Sequence, residues 1–523
     1  MCGNIYDSRY LRKHQLFPLR IDAKARPDLG LVVVIPCYDE PDLDSVLDSL
    51  WRCARPPCSV EVIVVINATR ADTSRVHAQN QRTLALAQRW IAAHGDERLR
   101  FHVLHFPELP HRHAGVGLAR RIGMDEAVAR FAAVGNPEGV IACLDADCRC
   151  DPNYLTALVA HFRAHPKSPG CSIYFEHPLD FGSPESRTDL RADLEVSQSG
   201  NSSAGKRPAS PAAHCAASMP KASAAIRAAI AGYELHLRYY VHGLRYAGSP
   251  YAFHTVGSCM AVRTRVYEQQ GGMNRRKAGE DFYFLQKIIG LGNFTELRGT
   301  RVLPSPRISE RTPFGTGRAV ADSLAKEDGA RYAYAPEVFR DLGKLLSRVG
   351  ELHGREKSAS RLAIGGHDDG DGYGYSDDYD NDGSDALDFI VAGLPEYVAP
   401  FLSAQGFGRR CAEIRRNAAS SRSFAKRFHR WFNALLTLKF IHFATDHHYP
   451  KVPMEQAARV LLAWCAERDG TWDNPRGNHS NEDTPEGGLL QQREALLLQY
   501  RIIDGGENRV FTRGSPTHCA IVR

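Results

Sequence analysis

The sequence predicts an α/β fold: a doubly wound, mostly parallel sheet followed by a helical C-terminal extension. Short apolar runs alternate with amphipathic stretches up to about residue 175, the pattern of parallel strands buried on both faces with helices between them. Several of these runs stop abruptly at Pro, Asn or Asp. Beyond residue 420, aromatic and aliphatic residues recur at helical spacing. The chain has 523 residues, 43% hydrophobic and 24% charged. That composition fills a sizeable core and excludes a wholly disordered chain, a collagen or a pure coiled coil.

The elements follow in order. Residues 31–35 form a buried strand closed by Pro36. Residues 41–53 form a helix with Leu43, Val46, Leu47 and Leu50 on one face. Strands at 60–66 and 101–106 alternate with helices at 73–94 and 117–131. A fourth strand, 140–144, ends in Asp145-Ala146-Asp147. A helix starts at Asp151-Pro152, with proline in its first turn, and 171–175 is a fifth strand. From 182 to 223 the pattern fails in a small, polar, proline-containing stretch, read as a flexible insertion. A helix at 224–246, a strand at 254–262 and a helix opening at Gly279-Glu280-Asp281 come next. Residues 365–385 are rich in Asp and Gly. Phe424, Phe428, Trp431, Phe432, Leu435 and Leu436, then Ala457, Val460, Leu461 and Trp464, fall at helical spacing, with a break at Val452-Pro453. The expected organisation is an N-terminal segment (1–27), a sheet domain (28–345, insertion about 182–223), an Asp/Gly-rich linker (346–385) and a helical extension with a loose tail (386–523).

The net charge of +6 over this length does not call for a nucleic-acid partner. No run of about 18 apolar residues occurs, so no spanning helix is expected, and the first residues lack the apolar core of a signal peptide. The 13 cysteines, an odd number, suit reduced thiols and a cytoplasmic setting. The clusters Cys143, Cys148, Cys150 and Cys53, Cys58 lack paired CxxC spacing and do not read as zinc sites. The aromatic-basic helix around Lys426, Arg427, Phe428, Arg430, Trp431 and Phe432 can either pack onto the sheet domain or lie peripherally on a membrane's inner face.

In open α/β sheets ligands bind beyond the carboxyl ends of the strands. Strand one ends in Pro36-Cys37-Tyr38-Asp39-Glu40, strand two at Asn67 and strand four at Asp145 and Asp147. On extended backbone, residues i and i+2 point the same way, so these two carboxylates share one small volume. A divalent cation relieves their repulsion; oxygen donors suit Mg²⁺ or Mn²⁺. Taken blandly, the segment is a solvated turn with Asp151 as helix cap. Glu280 and Asp281 sit in the first turn of a helix. The dipole favours them there but lowers a carboxylate's pKa, in tension with use as a general base.

These residues, in this order, resemble the family 2 glycosyltransferases, which have the GT-A fold. The likeness runs over about residues 28–320. It rests on Val33-Val34-Ile35-Pro36-Cys37-Tyr38-Asp39-Glu40, on Gly115 to Gly123, on Leu144-Asp145-Ala146-Asp147 and on Gly279-Glu280-Asp281. The resemblance implies a nucleotide-diphosphate sugar donor, a glycan or lipid-linked glycan acceptor, Mn²⁺ or Mg²⁺, and inversion. It implies that Pro36, Tyr38 and Glu40 line the nucleotide pocket. Arg120 then approaches the nucleotide or diphosphate, Asp145 faces the ribose and the metal's water shell, and Asp147 binds the metal. Asp281 is the base, with Glu280 contacting the acceptor.

The sequence departs from that pattern after strand two, where Asn67-Ala68-Thr69 stands in place of paired acids. Asn67 can still bond to a uracil-like edge. No histidine lies between Asp281 and His353 to serve as a late metal ligand. Arg307 and Arg318 flank a glycine-containing loop that can fold over a diphosphate. His254 reads as a structural histidine. Asp378-Tyr379-Asp380-Asn381-Asp382-Gly383 opens like an EF-hand loop, but its twelfth position is Phe389, where a bidentate Glu is needed. Two alternatives remain, a nucleotidyltransferase and a non-catalytic nucleotide-sugar binder. The first lacks the early glycine-rich phosphate loop its class requires.

Overall fold

The computed structural model describes residues 8–179, 220–307, 315–325, 330–354, 384–469 and 488–506. A short helix, α1 (Arg9–His14), precedes the sheet. Its strands are β1 (Leu29–Cys37), β2 (Ser59–Asn67), β3 (Leu99–Phe106), β4 (Val140–Cys143), β5 (Arg149–Cys150), β6 (Gly170–Phe175), β7 (Met260–Arg263) and β8 (Thr295–Leu303). Their spatial order is β3-β2-β1-β4-β7-β6-β8-β5. β3, β2, β1 and β4 run parallel, and β7 is antiparallel to both its neighbours.

Strand alternation divides the core in two. Leu31, Val33 and Ile35 face one way, onto α2 (Leu43–Trp51), α3 (Ser74–Ala93) and α5 (Tyr154–Ala164). Val32 and Val34 face the other way, onto α4 (Val116–Ala133). Each of these strand side chains is fully buried, worth roughly 1.5–3 kcal/mol of transfer free energy apiece. The chain continues through α6 (Pro220–Tyr246), which packs in the helical layer, and then through α7 (Thr264–Gln269) and α8 (Glu280–Ile289) on the α4 face. Val266 of α7 and Phe284 of α8 join the core beneath α4.

The remaining helices are α9 (Thr316–Leu324), α10 (Pro336–Ser347), α11 (Ser384–Val391), α12 (Val398–Ala404), α13 (Phe407–Arg416), α14 (Ser421–Trp431), α15 (Ala434–His447), α16 (Met454–Asp469) and α17 (Leu489–Gly505). A small antiparallel pair, β9 (Tyr332–Ala333) with β10 (Val452–Pro453), makes the expected break at Val452-Pro453 a strand contact. Phe424, Phe428 and Phe432 are buried in the helical layer with Tyr239 of α6 and Phe339 of α10. The aromatic stripe of α14 therefore packs among the helices, and its basic side chains face out.

The last helix returns to the sheet. Asp504 of α17 accepts hydrogen bonds from Arg238 at 2.5 Å, His242 at 2.9 Å and Arg245 at 2.5 Å. Arg501 donates to Glu234 of α6 and to the His177 carbonyl beyond β6. No helix among the described residues is long and apolar enough to cross a membrane.

Three expectations change. The strand expected at 254–262 is confined to Met260–Arg263, because the preceding backbone turns at Gly257 to meet Asp281. The helix expected from Asp151 begins at Tyr154; the Asp151 carboxylate is committed instead to the Arg301 backbone and guanidinium, at 3.0 and 3.1 Å. β5 and β8 lack an apolar run and were not foreseen. Most of the insertion at 182–223, most of the Asp-rich stretch and the tail after 506 lie outside the described residues.

Candidate active site

The Leu144 N–H donates to the Val34 carbonyl at 3.1 Å, so the acidic turn leaves the sheet at the carboxyl end of its central strands. Asp145 and Asp147 are half-buried there. Asp145 accepts from Arg120 Nη2 at 2.6 Å, and Arg120 Nη1 pairs with Glu280. Arg120 thus joins β4 to α8 from inside α4, only 3% exposed. Burial works against its charge, but Asp145 and Glu280 outweigh it and the pKa is raised. The guanidinium lies under Gly257, engaged by two carboxylates instead of being presented to the cleft. Glu280 is likewise buried and turned inward, onto Arg120.

Asp281 is held by backbone. Its Oδ2 accepts from the Gly257 N–H at 2.9 Å, and its Oδ1 from its neighbour Phe282 N–H at 2.8 Å. Burial raises its pKa, against the opposing pull of Arg120 and these two amides. The expectation that the helix dipole would set a low value is therefore corrected: desolvation is larger than the combined effect of the donors at the helix start. Glu280 is pushed up to about 7, first by burial and then by the charge of Asp281, with Arg120 opposing. Tyr233 of α6 senses the charge of Asp281 and hydrogen-bonds Thr316, while burial raises its pKa. No sequence signal marked Tyr233, because its helix is more than thirty residues from either partner.

The end of β1 carries the other group. Pro36 is buried in the strand, paired in register with Val65. Tyr38 is half-buried and its hydroxyl donates to Asp72 at 3.0 Å; Asp72 also accepts from the Thr69 N–H at 2.7 Å. Asp39 sits at φ +50, a left-handed conformation unusual outside glycine, and is clamped by Arg75 at 2.6 and 3.2 Å and by Asn80. Asn67 is buried and its amide nitrogen donates to the Cys37 carbonyl at 2.8 Å, so it ties β2 to β1. Asp72 was missed by sequence reading; it lies five residues past the strand end, where the sought acids would have been nearer.

Arg307 connects the two groups. It pairs with the buried Glu40, through Oε1 at 2.9 Å and through Oε2, and with Asp147 Oδ2 at 3.2 Å. Arg318 instead pairs with Asp322 on its own helix at 2.9 Å; residues 308–314 between them lie outside the described residues. His254 is half-buried, with its ring edge-on to Phe175 and 3.5 Å from Asp504. It therefore sits in the α17 network beneath the turn that carries Gly257.

The donor set of Asp145 and Asp147 is hard oxygen, which suits Mg²⁺ or Mn²⁺. Among the described residues no three His, Cys, Asp or Glu side chains converge as a metal cage. The arrangement fits a cation that takes most of its ligands from water and a diphosphate, with Arg307 as the neighbour it meets at Asp147.

Residues 32–193 match the family model described as glycosyl transferase family 2. No curated protein matches the chain. Solved structures similar to it include TarS residues 1–349 of S. aureus, 14% identical over 77% of this chain and 91% of that one, with a TM-score of 0.32. The same protein in complex with UDP-GlcNAc gives 14% identity, the same coverages and a TM-score of 0.33. Its complex with UDP gives 13%, 77% and 89%, and 0.32. Overlaps this loose transfer no residue role. The family match covers residues 32–193, less than half of the chain, and makes that stretch similar to the family 2 glycosyltransferases.

Proposed function

We propose that this protein is a glycosyltransferase that moves a sugar from a nucleoside-diphosphate donor to a hydroxyl of a glycan or lipid-linked glycan, with inversion at the anomeric carbon. The observation that carries the reading is Asp281, a half-buried carboxylate with raised pKa, fixed by the Gly257 and Phe282 amides across Arg120 from the acidic turn.

In this reading Tyr38 and Asp72 border the nucleotide, with Asp72 as the acceptor for a base N–H. Glu40 positions Arg307 beside Asp147, and Arg307 turns toward the diphosphate when donor binds. Bound at Asp147 and Asp145, Mn²⁺ or Mg²⁺ supplies positive charge against the leaving diphosphate. Asp281 takes the proton of the acceptor hydroxyl as that oxygen bonds to C1. The C1–O bond to the diphosphate breaks and its electron pair leaves with the nucleotide. A raised pKa makes Asp281 a stronger base than an ordinary aspartate. Glu280 acts indirectly: it fixes Arg120, and Arg120 fixes Asp145. The exposed arginines of α13 and α14 suit a cytoplasmic enzyme working peripherally at the inner face of a membrane.

The test is Asp281→Asn. It keeps the thermal shift given by UDP with Mn²⁺ and lowers sugar transfer, or slow donor hydrolysis, by about 10²–10⁴-fold, the range for a general base. Normal turnover in the folded variant removes Asp281 from the role.

A further inference from the structure

We propose that the acceptor is anionic, and that a cationic rim beside Asp281, built from Arg112, Arg275, Arg276 and Lys277, holds its negative charge. The proposal deepens the glycosyl-transfer reading above and rests on it.

The rim comes from two loops that meet at the start of α4. One, following β3, carries His111-Arg112-His113; the other, leading into α8, carries Arg275-Arg276-Lys277. They touch through backbone. A Cβ at Gly115 would lie 3.4 Å from the Lys277 Cα, and one at Gly117 would lie 2.5 Å from the Arg276 carbonyl oxygen and 3.0 Å from the Glu280 side chain. Only glycine lets the loops close this far. The rim is therefore fixed against the first turn of the helix that carries Arg120, and Lys277 lies four positions before Asp281.

The cations are outward and uncommitted. His111, Arg112, Arg275, Arg276 and Lys277 are exposed. Among the described residues no carboxylate pairs with Arg112, Arg275, Arg276 or Lys277. Arg276 stacks on Tyr283 at 3.7 Å, which orders its guanidinium without neutralising it. Desolvation and then the charges of Arg275, Arg112 and Lys277 hold the His113 imidazole below its ordinary value, so the two loops share one positive field.

A solvated charged face usually mixes both signs. Here residues 271–279 hold three cations and no acid, and residues 109–115 hold Arg112, two histidines and no acid. The position matters as much as the sign. Asp145 and Asp281 bring negative charge to the reacting centre, and Arg120 is already engaged beneath it. An acceptor bearing phosphate or carboxylate groups meets that repulsion unless cations stand at the entrance. The rim supplies them and steers the acceptor hydroxyl toward Asp281.

The test uses the full chain and fluorescently labelled polymers as probes: polyphosphate, polygalacturonate and neutral dextran, read by anisotropy at fixed salt. The rim variant is Arg112→Gln, Arg275→Gln, Arg276→Gln, Lys277→Gln. A control variant places Gln at Arg82, Arg89, Arg163 and Lys167, exposed cations on α3, on α5 and just beyond it. Wild type should bind a charged polymer and not dextran. The rim variant should bind it at least about tenfold more weakly, and the control within about threefold of wild type. Comparing polyphosphate with polygalacturonate separates a phosphate acceptor from a carboxylate one. Undiminished binding by the rim variant overturns the proposal. So does loss in the control alone, or equal binding of dextran. The UDP thermal shift is read on the same samples: its absence from wild type counts against the transfer reading, whereas its presence with unchanged polymer binding in the rim variant counts against the rim alone.

Discussion

Replacing Gly257 by alanine puts a methyl group where the Arg120 guanidinium already is. The new Cβ would lie 2.3 Å from Nη1, 2.6 Å from Cζ and 2.7 Å from Nη2. Comfortable contact needs roughly 3.5 Å, so one partner must move by about 1.2 Å. Arg120 cannot swing away freely, because Asp145 at 2.6 Å and Glu280 hold both of its terminal nitrogens. The backbone at 257 gives instead, and its N–H is drawn off Asp281 Oδ2. A 2.9 Å bond stretched by that amount is about 4 Å, no longer a hydrogen bond. Overpacking of this kind costs about 1–3 kcal/mol of stability. A catalytic group displaced by 1 Å costs about 10²-fold in rate. The expected Gly257→Ala protein is folded, melts a few degrees lower, keeps its UDP thermal shift and releases UDP from donor roughly a hundredfold more slowly. Wild-type turnover in a folded variant would refute the claim that Gly257 positions Asp281.

Two further outcomes follow from burial. Asp504→Ala removes one of two carboxylate partners from the fully buried Arg238, which keeps Glu234, and from Arg245, which keeps Glu296; losing such charged hydrogen bonds costs about 1.5–3 kcal/mol, read as a drop in the thermal midpoint by circular dichroism, and an unchanged midpoint would show that α17 is not pinned there. Glu280, raised to about 7 from an ordinary 4.5, is protonated in the folded chain across a window where the unfolded chain has already ionised. Its contribution is complete below the unfolded value and is lost as pH rises through about 7. Urea titrations from pH 5 to pH 8 should therefore show wild type losing stability relative to Glu280→Gln, and parallel profiles would contradict the burial argument.

Much of this protein is legible locally. Buried strands such as 31–35 declare themselves as apolar runs because both of their faces are covered, and α2 declares its buried face through Leu43, Val46, Leu47 and Leu50. The polar ends of β1, β2 and β4 fall together because parallel strands in one sheet share a carboxyl edge. Residue order was thus enough to single out Tyr38, Asp145, Asp147 and Asp281 as candidates. β5 and β8 escaped notice because a two-residue edge strand and a strand broken by charged residues carry no periodic signal.

What sequence determined by itself is the set of elements and the chemical types set at their ends, since hydrophobic period and turn chemistry act over a few residues. Tertiary structure decided the pairings: Arg120 with Glu280, 160 positions apart, Arg307 with Glu40, 267 apart, and Asp504 with Arg238, 266 apart. It also decided protonation. Near the start of α8 the local dipole argues for an acidic Asp281, and burial in the folded chain outweighs the opposing pull of Arg120 and the Phe282 and Gly257 amides and raises its pKa. Desolvation depends on everything that surrounds a group, and those surroundings come from segments that meet only when the chain is folded.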